Sequence, residues 1–177
     1  NDHRLQDGEL VLMDYAPDFG CYTSDIGRTW PVNGRYSAVQ RELYGFIVEY
    51  HKTLLEVIKP GRLPEEVRLE AAARMRPLVE AGRWSSPAYE AAARRCLDFK
   101  GHLSHPVGMA VHDVGQYHDR PLAPGTVFAL DPQMWVPEEQ LYIRVEDTVA
   151  ITESGLDNLT AAAPLELDEV ERTLVCA

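Results

Sequence analysis

Basic residues are in short supply: 17 lysines and arginines face 28 aspartates and glutamates in 177 residues, a formal net charge of −11. An acidic body is repelled by nucleic-acid phosphates and by anionic lipid surfaces, so neither is expected as a partner. Cysteine is scarce as well. Cys21, Cys96 and Cys176 are odd in number and far apart, which argues against a disulfide scaffold and for a reducing, cytoplasmic compartment. No apolar run approaches the roughly 20 residues that span a bilayer, and no signal peptide is recognisable. Repeats, low-complexity tracts and linkers are missing too. With 45% hydrophobic and 25% charged residues, what remains is the composition of one ordinary globular domain with a substantial core. The chain opens at Asn1 rather than at a methionine, so a fragment of a longer protein is expected.

The stretch LVLMDYAPDFGCYTSD, residues 10–25, reads as two short antiparallel strands around a turn at Pro17, Asp18 and Gly20. Strand alternation puts Leu10, Leu12 and Asp14 on one face and Cys21, Thr23 and Asp25 on one face. Two carboxylates then converge across the hairpin, a costly arrangement that a cation relieves. Capping of exposed strand ends is the plainer alternative. The second strand should continue to Pro31, with a turn at Asn33-Gly34. Ser37 with Gln40 has the capping-box spacing, and Leu43, Ile47, Tyr50, Leu54 and Ile58 recur at helical spacing to near Lys59. Pro64 opens a second helix that Pro77 should kink or end, and Ser86-Pro87 starts a third running to about Leu97. From Gly101 the pattern predicts strands at Val107–His112, Thr126–Asp131 and Leu141–Thr152, then a short closing helix from about Leu167. The order of strands, helices and strands predicts an α+β domain.

Four places on strand-like segments carry metal-type ligands: Asp14 with Asp25, then His105, then Asp131, then Glu146. Arg144 shares a strand face with Glu146 and can neutralise and orient it. Four carboxylates and one imidazole form a hard donor set. It suits Mn²⁺ first, with Co²⁺ or Zn²⁺ as alternatives, and would hold two divalent ions. Two ions about 3.5–4 Å apart can share a water and lower its pKa toward neutrality. Asp131 precedes Pro132, so turn opening is its alternative role. Asp147, on the opposite strand face from Glu146, reads as structural, and Asp18 as turn chemistry. Glu138 and Glu139 read as solvated. His3, His51 and His118 read as surface or satisfied core residues. Trp135 and Tyr142 read either as pocket lining or as core.

The successive segments LVLMDYAPDFGCYTSDIGRTWPVNG, SHPVGMAVHDVG, PGTVFALDP and IRVEDTVAITESG resemble the ordered signatures of the pita-bread metallopeptidases, with aminopeptidase P and prolidase the nearest types. The match is collinear and keeps the eleven-residue spacing between Asp14 and Asp25. The resemblance implies a pita-bread fold, a curved and mostly antiparallel sheet covered by helices, with the N-terminal part of the domain missing and residues 1–177 forming the rest of one catalytic domain. It implies that Asp14, Asp25, His105, Asp131 and Glu146 hold the two metal ions. By the same resemblance His112 contacts substrate and steadies the tetrahedral intermediate, Asp131 is the general base as well as a ligand, and Arg144 supports the ligands from behind. The implied reaction is hydrolysis, by a metal-bridging hydroxide, of the bond between an N-terminal residue and a following proline, in N-terminal or dipeptide substrates. A homodimer is implied as well.

Three departures stand out. Asp131 replaces a glutamate and is one methylene shorter. Gly27 replaces a threonine and removes a hydroxyl. Gly101-His102 reverses the family's His-Gly order, so no role is carried onto His102. These departures motivate one alternative, a non-catalytic pita-bread binding module. A metal-free creatinase-like hydrolase fits less well, because all five ligand positions keep ligand-capable side chains.

Overall fold

Local side-chain chemistry starts each helix. The computed structural model describes residues 2–101 and 103–175; His102 and Cys176 lie outside the described residues. Ser37 caps α1 (Ala38–Val57): its hydroxyl accepts from the Gln40 N–H at 3.2 Å, and the Gln40 side chain accepts from the Ser37 N–H at 2.8 Å. Pro64 occupies the first turn of α2 (Pro64–Ala81), and the Ser86 hydroxyl caps α3 (Pro87–Leu97). Pro77 does not end α2 as its sequence position predicts. It is exposed, and so is Ala73, the residue whose carbonyl loses its helical partner at position 77, while Met75 and Val79 hold the helix to the core. Leu43, Ile47 and Leu54 of α1 are almost fully buried, each contributing about 1.5–3 kcal/mol of apolar transfer. A last helix, α4 (Leu167–Val175), closes the chain where expected.

The strands depart further from expectation. Strand β1 (Leu10–Tyr15) pairs antiparallel with β4 (Ile26–Pro31), setting Asp14 opposite Gly27 and Tyr15 opposite Ile26. Between them a separate miniature hairpin, β2 (Asp18–Phe19) with β3 (Tyr22–Thr23), turns at Gly20 and Cys21, both at positive φ. The single hairpin read from the sequence is therefore two nested ones, and Asp18 stands in a strand rather than at the turn. The segment 107–112 forms no strand. Pro106 bridges Phe128, and beyond it the chain curls, with Gly108 N–H bonding Ala110 O and the Asp113 carboxylate accepting from the Met109 and Val114 amides.

The long strand expected over Leu141–Thr152 is two. Strand β5 (Val127–Leu130) pairs with β8 (Asp147–Ile151), which also pairs with β9 (Leu156–Asn158). Strand β6 (Gln133–Val136) pairs with β7 (Leu141–Arg144). Val145 and Glu146 form the joint between β7 and β8. There the Gly27 and Glu146 amides bond each other's carbonyls at 3.1 and 2.9 Å, fastening β4 to the C-terminal strands. Every strand pairing among the described residues is antiparallel. Helix α1 packs on α2 and β7, and α3 on α2 and β6, around a core that includes Phe128, Met134, Ile143 and Val149.

Candidate metal centre

The paired strands bring the predicted ligands to one place. Asp14 lies at the β1–β4 pairing, Asp25 immediately before β4, and Glu146 at the β7–β8 joint bonded to Gly27. Thr148 on β8 fixes Asp25 by its backbone, its hydroxyl accepting from Asp25 N–H at 2.7 Å and donating to Asp25 O at 2.8 Å. One ligand atom from each of Asp14, Asp25 and Glu146 falls within 4.8 Å of the others, and the same holds for Asp25, His105 and His112. The His105 and His112 rings stack at 3.8 Å with 11° between their planes. His105 Nδ1 lies 3.2 Å from the Pro106 carbonyl, which can only accept, so Nδ1 is the donor there and Nε2 is the nitrogen turned to the cluster. That Nε2 is 3.4 Å from Asp25 Oδ2 and 3.8 Å from Glu146 Oε1.

Asp131 belongs to neither of those groups of three but lies beside them, close enough to interact with His105 and Glu146. It lies 4.0 Å from Arg144 and receives a hydrogen bond from Ser104, and it lines a cavity of about 570 Å³ together with His105 and His112. Trp135 lines the same cavity; it is 55% exposed and rests on Tyr142 at 4.6 Å, so it is pocket lining and not core.

Arg144 is the cation among these carboxylates. It pairs with Asp14, reaches Glu146 Oε2 at 3.0 Å out of line for a hydrogen bond, and faces Asp131. Glu146 is fully buried and neither of its oxygens receives a hydrogen bond. Burial pushes its carboxyl up to about 8; Arg144 opposes the rise, and Asp25, Asp131 and Asp14 add to it. Burial, and after it the charge of Asp14, also raises Asp25, while burial raises Asp131.

A sequence profile described as metallopeptidase family M24 matches residues 1–153. The chain belongs to that family. This M24 chain is 37% identical over 191 residues to the Xaa-Pro aminopeptidase of Escherichia coli (strain K12), an alignment covering 100% of this chain and 43% of the relative. It is 33% identical over 186 residues to Xaa-Pro aminopeptidase 3 of Mus musculus, covering 97% and 36%. The solved structure of Zn-substituted E. coli aminopeptidase P in complex with product superposes with a TM-score of 0.82 at 36% identity, over 98% of this chain and 43% of that one. The chain thus spans about two fifths of the length of the relatives it matches. Its α+β architecture is the pita-bread fold of the aminopeptidase P catalytic domain.

The M24 chain's residues fit divalent metal. One guanidinium pairs with Asp14, Asp131 and Glu146, and Asp25 lies beside them, which leaves three formal negative charges close together if all four carboxylates ionise. The buried Glu146 oxygens, aimed at Asp14, Asp25 and His105 without a donor, are what a cation would satisfy. Gly27 adds to the closeness: a Cβ there would stand 3.0 Å from the Glu146 Cβ and 3.1 Å from its Oε2.

On the other side of the joint, Asp147 holds a separate network. Its carboxylate accepts from Arg28 at 2.7 Å, Asn158 at 2.9 Å and Thr160 at 2.7 Å, and contacts His51 at 2.7 Å. Burial alone would raise this carboxyl, but His51, Arg28 and Thr160 outweigh it and hold it well below the usual carboxylate range. His51 is thus a core histidine bonded through Nε2 to Asp147, with its buried Nδ1 left without a partner among the described residues, and Asp147 is structural, as the strand alternation indicated. Sequence reasoning passed over Ser104, Thr148 and Arg28, whose partners are distant in the chain and leave no local signal.

Proposed function

We propose that residues 1–177 are part of the catalytic domain of a dinuclear metallopeptidase that hydrolyses the bond between an N-terminal residue and a following proline. The observation that carries this is the buried, donorless Glu146 carboxylate facing Asp14, Asp25 and His105 in a chain of the M24 family. Asp14, Asp25, His105, Asp131 and Glu146 would hold two divalent ions, Mn²⁺ before Co²⁺ or Zn²⁺, as the oxygen-rich donor set favours. Divalent ions there supply Lewis acidity, polarising a peptide carbonyl and bringing the pKa of water toward neutrality.

The chain's own residues do the rest. His112, beside His105 on the cavity wall, donates from its ring N–H to the carbonyl oxygen as negative charge develops on it. Asp131, also on that wall, takes the proton of the attacking water and passes it to the leaving proline nitrogen. Arg144 holds Asp14 and Glu146 in place. The exposed ring of Trp135 offers an apolar face for a proline ring. A homodimer in a reducing compartment belongs to the same proposal, consistent with free Cys21 and Cys96.

A second reading rests on Asp131. Its carboxyl, one methylene shorter than the family's glutamate, favours a non-catalytic pita-bread binding module. Elemental analysis after loading with Mn²⁺, followed by assay on Xaa-Pro peptides, separates the two. Nearly two ions per chain, lost in Asp14→Ala, with peptide cleavage, supports the peptidase. Two ions without cleavage favours the module, and no retained metal sinks the peptidase and leaves the module in front.

A further inference from the structure

Two arginines of this protein are nine-tenths or more buried, and they are treated very differently. Arg28, 2% exposed, spends every donor: Nε on Pro164 O, Nη1 on Gly27 O and Glu146 O, and Nη2 on Asp147 Oδ1 and Ala163 O. Arg68 on α2, 8% exposed, makes one hydrogen bond among the described residues, from Nη1 to Phe99 O. Its Nε is buried with no partner. The nearest carboxylate, Glu65, lies 3.9 Å from Nη2 with its own side chain largely in water, so it screens little of the charge. A desolvated guanidinium normally brings its anion with it.

What Arg68 does face is the 570 Å³ cavity, whose wall also includes His105, His112 and Asp131 of the metal centre. Helices α1 and α3 contribute Tyr50, Leu54 and Cys96 to the same lining. Asp131 is the one acidic side chain of that lining, and it pairs with Arg144 rather than with Arg68. Burial raises both the Tyr50 phenol and the Cys96 thiol, the latter to about 12, so each stays neutral at physiological pH. The cavity volume is within the range of small-ligand sites, and it joins a cation whose one ion-pair partner lies largely in water to the candidate reaction centre.

We propose that Arg68 is a carboxylate receptor in the substrate cavity, so that the enzyme favours short peptides presenting a carboxylate to the helix-lined wall. The proposal rests on the peptidase reading for the identity of the ligand, and it deepens that reading by naming a specificity-determining residue. Arg68 touches no reacting group; its guanidinium gives planar, paired N–H donors to a carboxylate and sets which peptides stay bound. The carboxylate has two sources, the C-terminus of a dipeptide or the acidic side chain of its first residue.

The test compares Ala-Pro with Ala-Pro amide, and Asp-Pro amide with Ala-Pro amide, by calorimetric binding and by kcat/KM on the Mn²⁺-loaded full chain. Wild type is expected to prefer the carboxylate-bearing member of one pair by about tenfold or more. Arg68→Met, which keeps the apolar stem, is expected to lose that preference both in binding and in kcat/KM. Arg68→Lys, which keeps the charge without the fork, is expected to retain part of it and guards against a folding defect in the methionine variant. Preference within the first pair assigns the C-terminus, and within the second the acidic side chain. Equal treatment of both pairs by wild type and Arg68→Met, with cleavage intact, overturns the receptor and spares the peptidase. Tighter binding of the carboxylate-bearing peptides that depends on Arg68, with no cleavage of any, upholds the receptor and overturns the peptidase reading.

Discussion

Glu146 and Asp147 are consecutive carboxylates, both buried, and strand alternation sends them to opposite sides of the β7–β8 joint. On one side Asp147 has two cationic-type partners and two further donors, and its proton affinity is driven down. On the other, Glu146 has an arginine out of hydrogen-bonding line, three other carboxylates nearby, and a proton affinity driven up. Burial acts alike on both, so partnership decides the outcome. A saturated carboxylate is a piece of the scaffold. An unsaturated one at equal depth is waiting for a ligand.

The contrast can be broken most directly at Asp147. Asp147→Ala leaves the Arg28 guanidinium buried without its counter-charge and should cost about 3–5 kcal/mol in denaturant unfolding; a loss under 1 kcal/mol would erase the distinction drawn above. The next effect is on pH. In metal-free protein the raised Glu146 carboxyl keeps its proton up to about pH 8, whereas the unfolded chain releases it near the ordinary value of 4.5. Between those values the folded state binds the extra proton, so stability falls as pH rises, by a few kcal/mol at about 1.4 per unit. Thermal unfolding of chelator-treated protein from pH 5 to 8 should show this fall, and Glu146→Gln should flatten it. A profile already flat in wild type would remove the electrostatic half of the contrast.

Metal affinity sharpens it. Glu146→Gln should weaken Mn²⁺ binding by at least about a hundredfold, beyond the 10–100-fold usual for groups behind the ligands. Titration calorimetry should find Asp147→Asn far less affected, provided it folds. The smallest effect belongs to Thr160, whose hydroxyl donates to Asp147. Thr160→Val should cost about 1.5–3 kcal/mol in stability without changing metal stoichiometry, read by the same titration.

Much of this was legible in the sequence because it is local. Ser37 with Gln40, Pro64 and Ser86-Pro87 announce their helices within one turn of chain. The opposite facing of Glu146 and Asp147 follows from a period of two. What stayed hidden depends on partners far away. The break at Val145 comes from Gly27 pairing with Glu146 across the fold, and nothing in a β-branched run discloses it. Pro106 and the Asp113 side chain stop the expected strand over Val107–His112. The candidate ligands could be named one by one, but the placement of the Asp131 carboxylate among them could not. It depends on where Arg144 and Ser104 hold that shorter side chain.

The nested hairpin β2–β3 has a consequence for how this chain can vary. Asp14 and Asp25 are aligned by β1 pairing with β4 and by the Thr148 clasp, while the tip at Phe19–Cys21 is exposed. The spacing between the two aspartates in sequence is thus not the ruler that sets their spacing in space. The tip is a place where residues can be inserted, exchanged or grafted, and where related chains are free to diverge in length, as long as the flanking pairing persists.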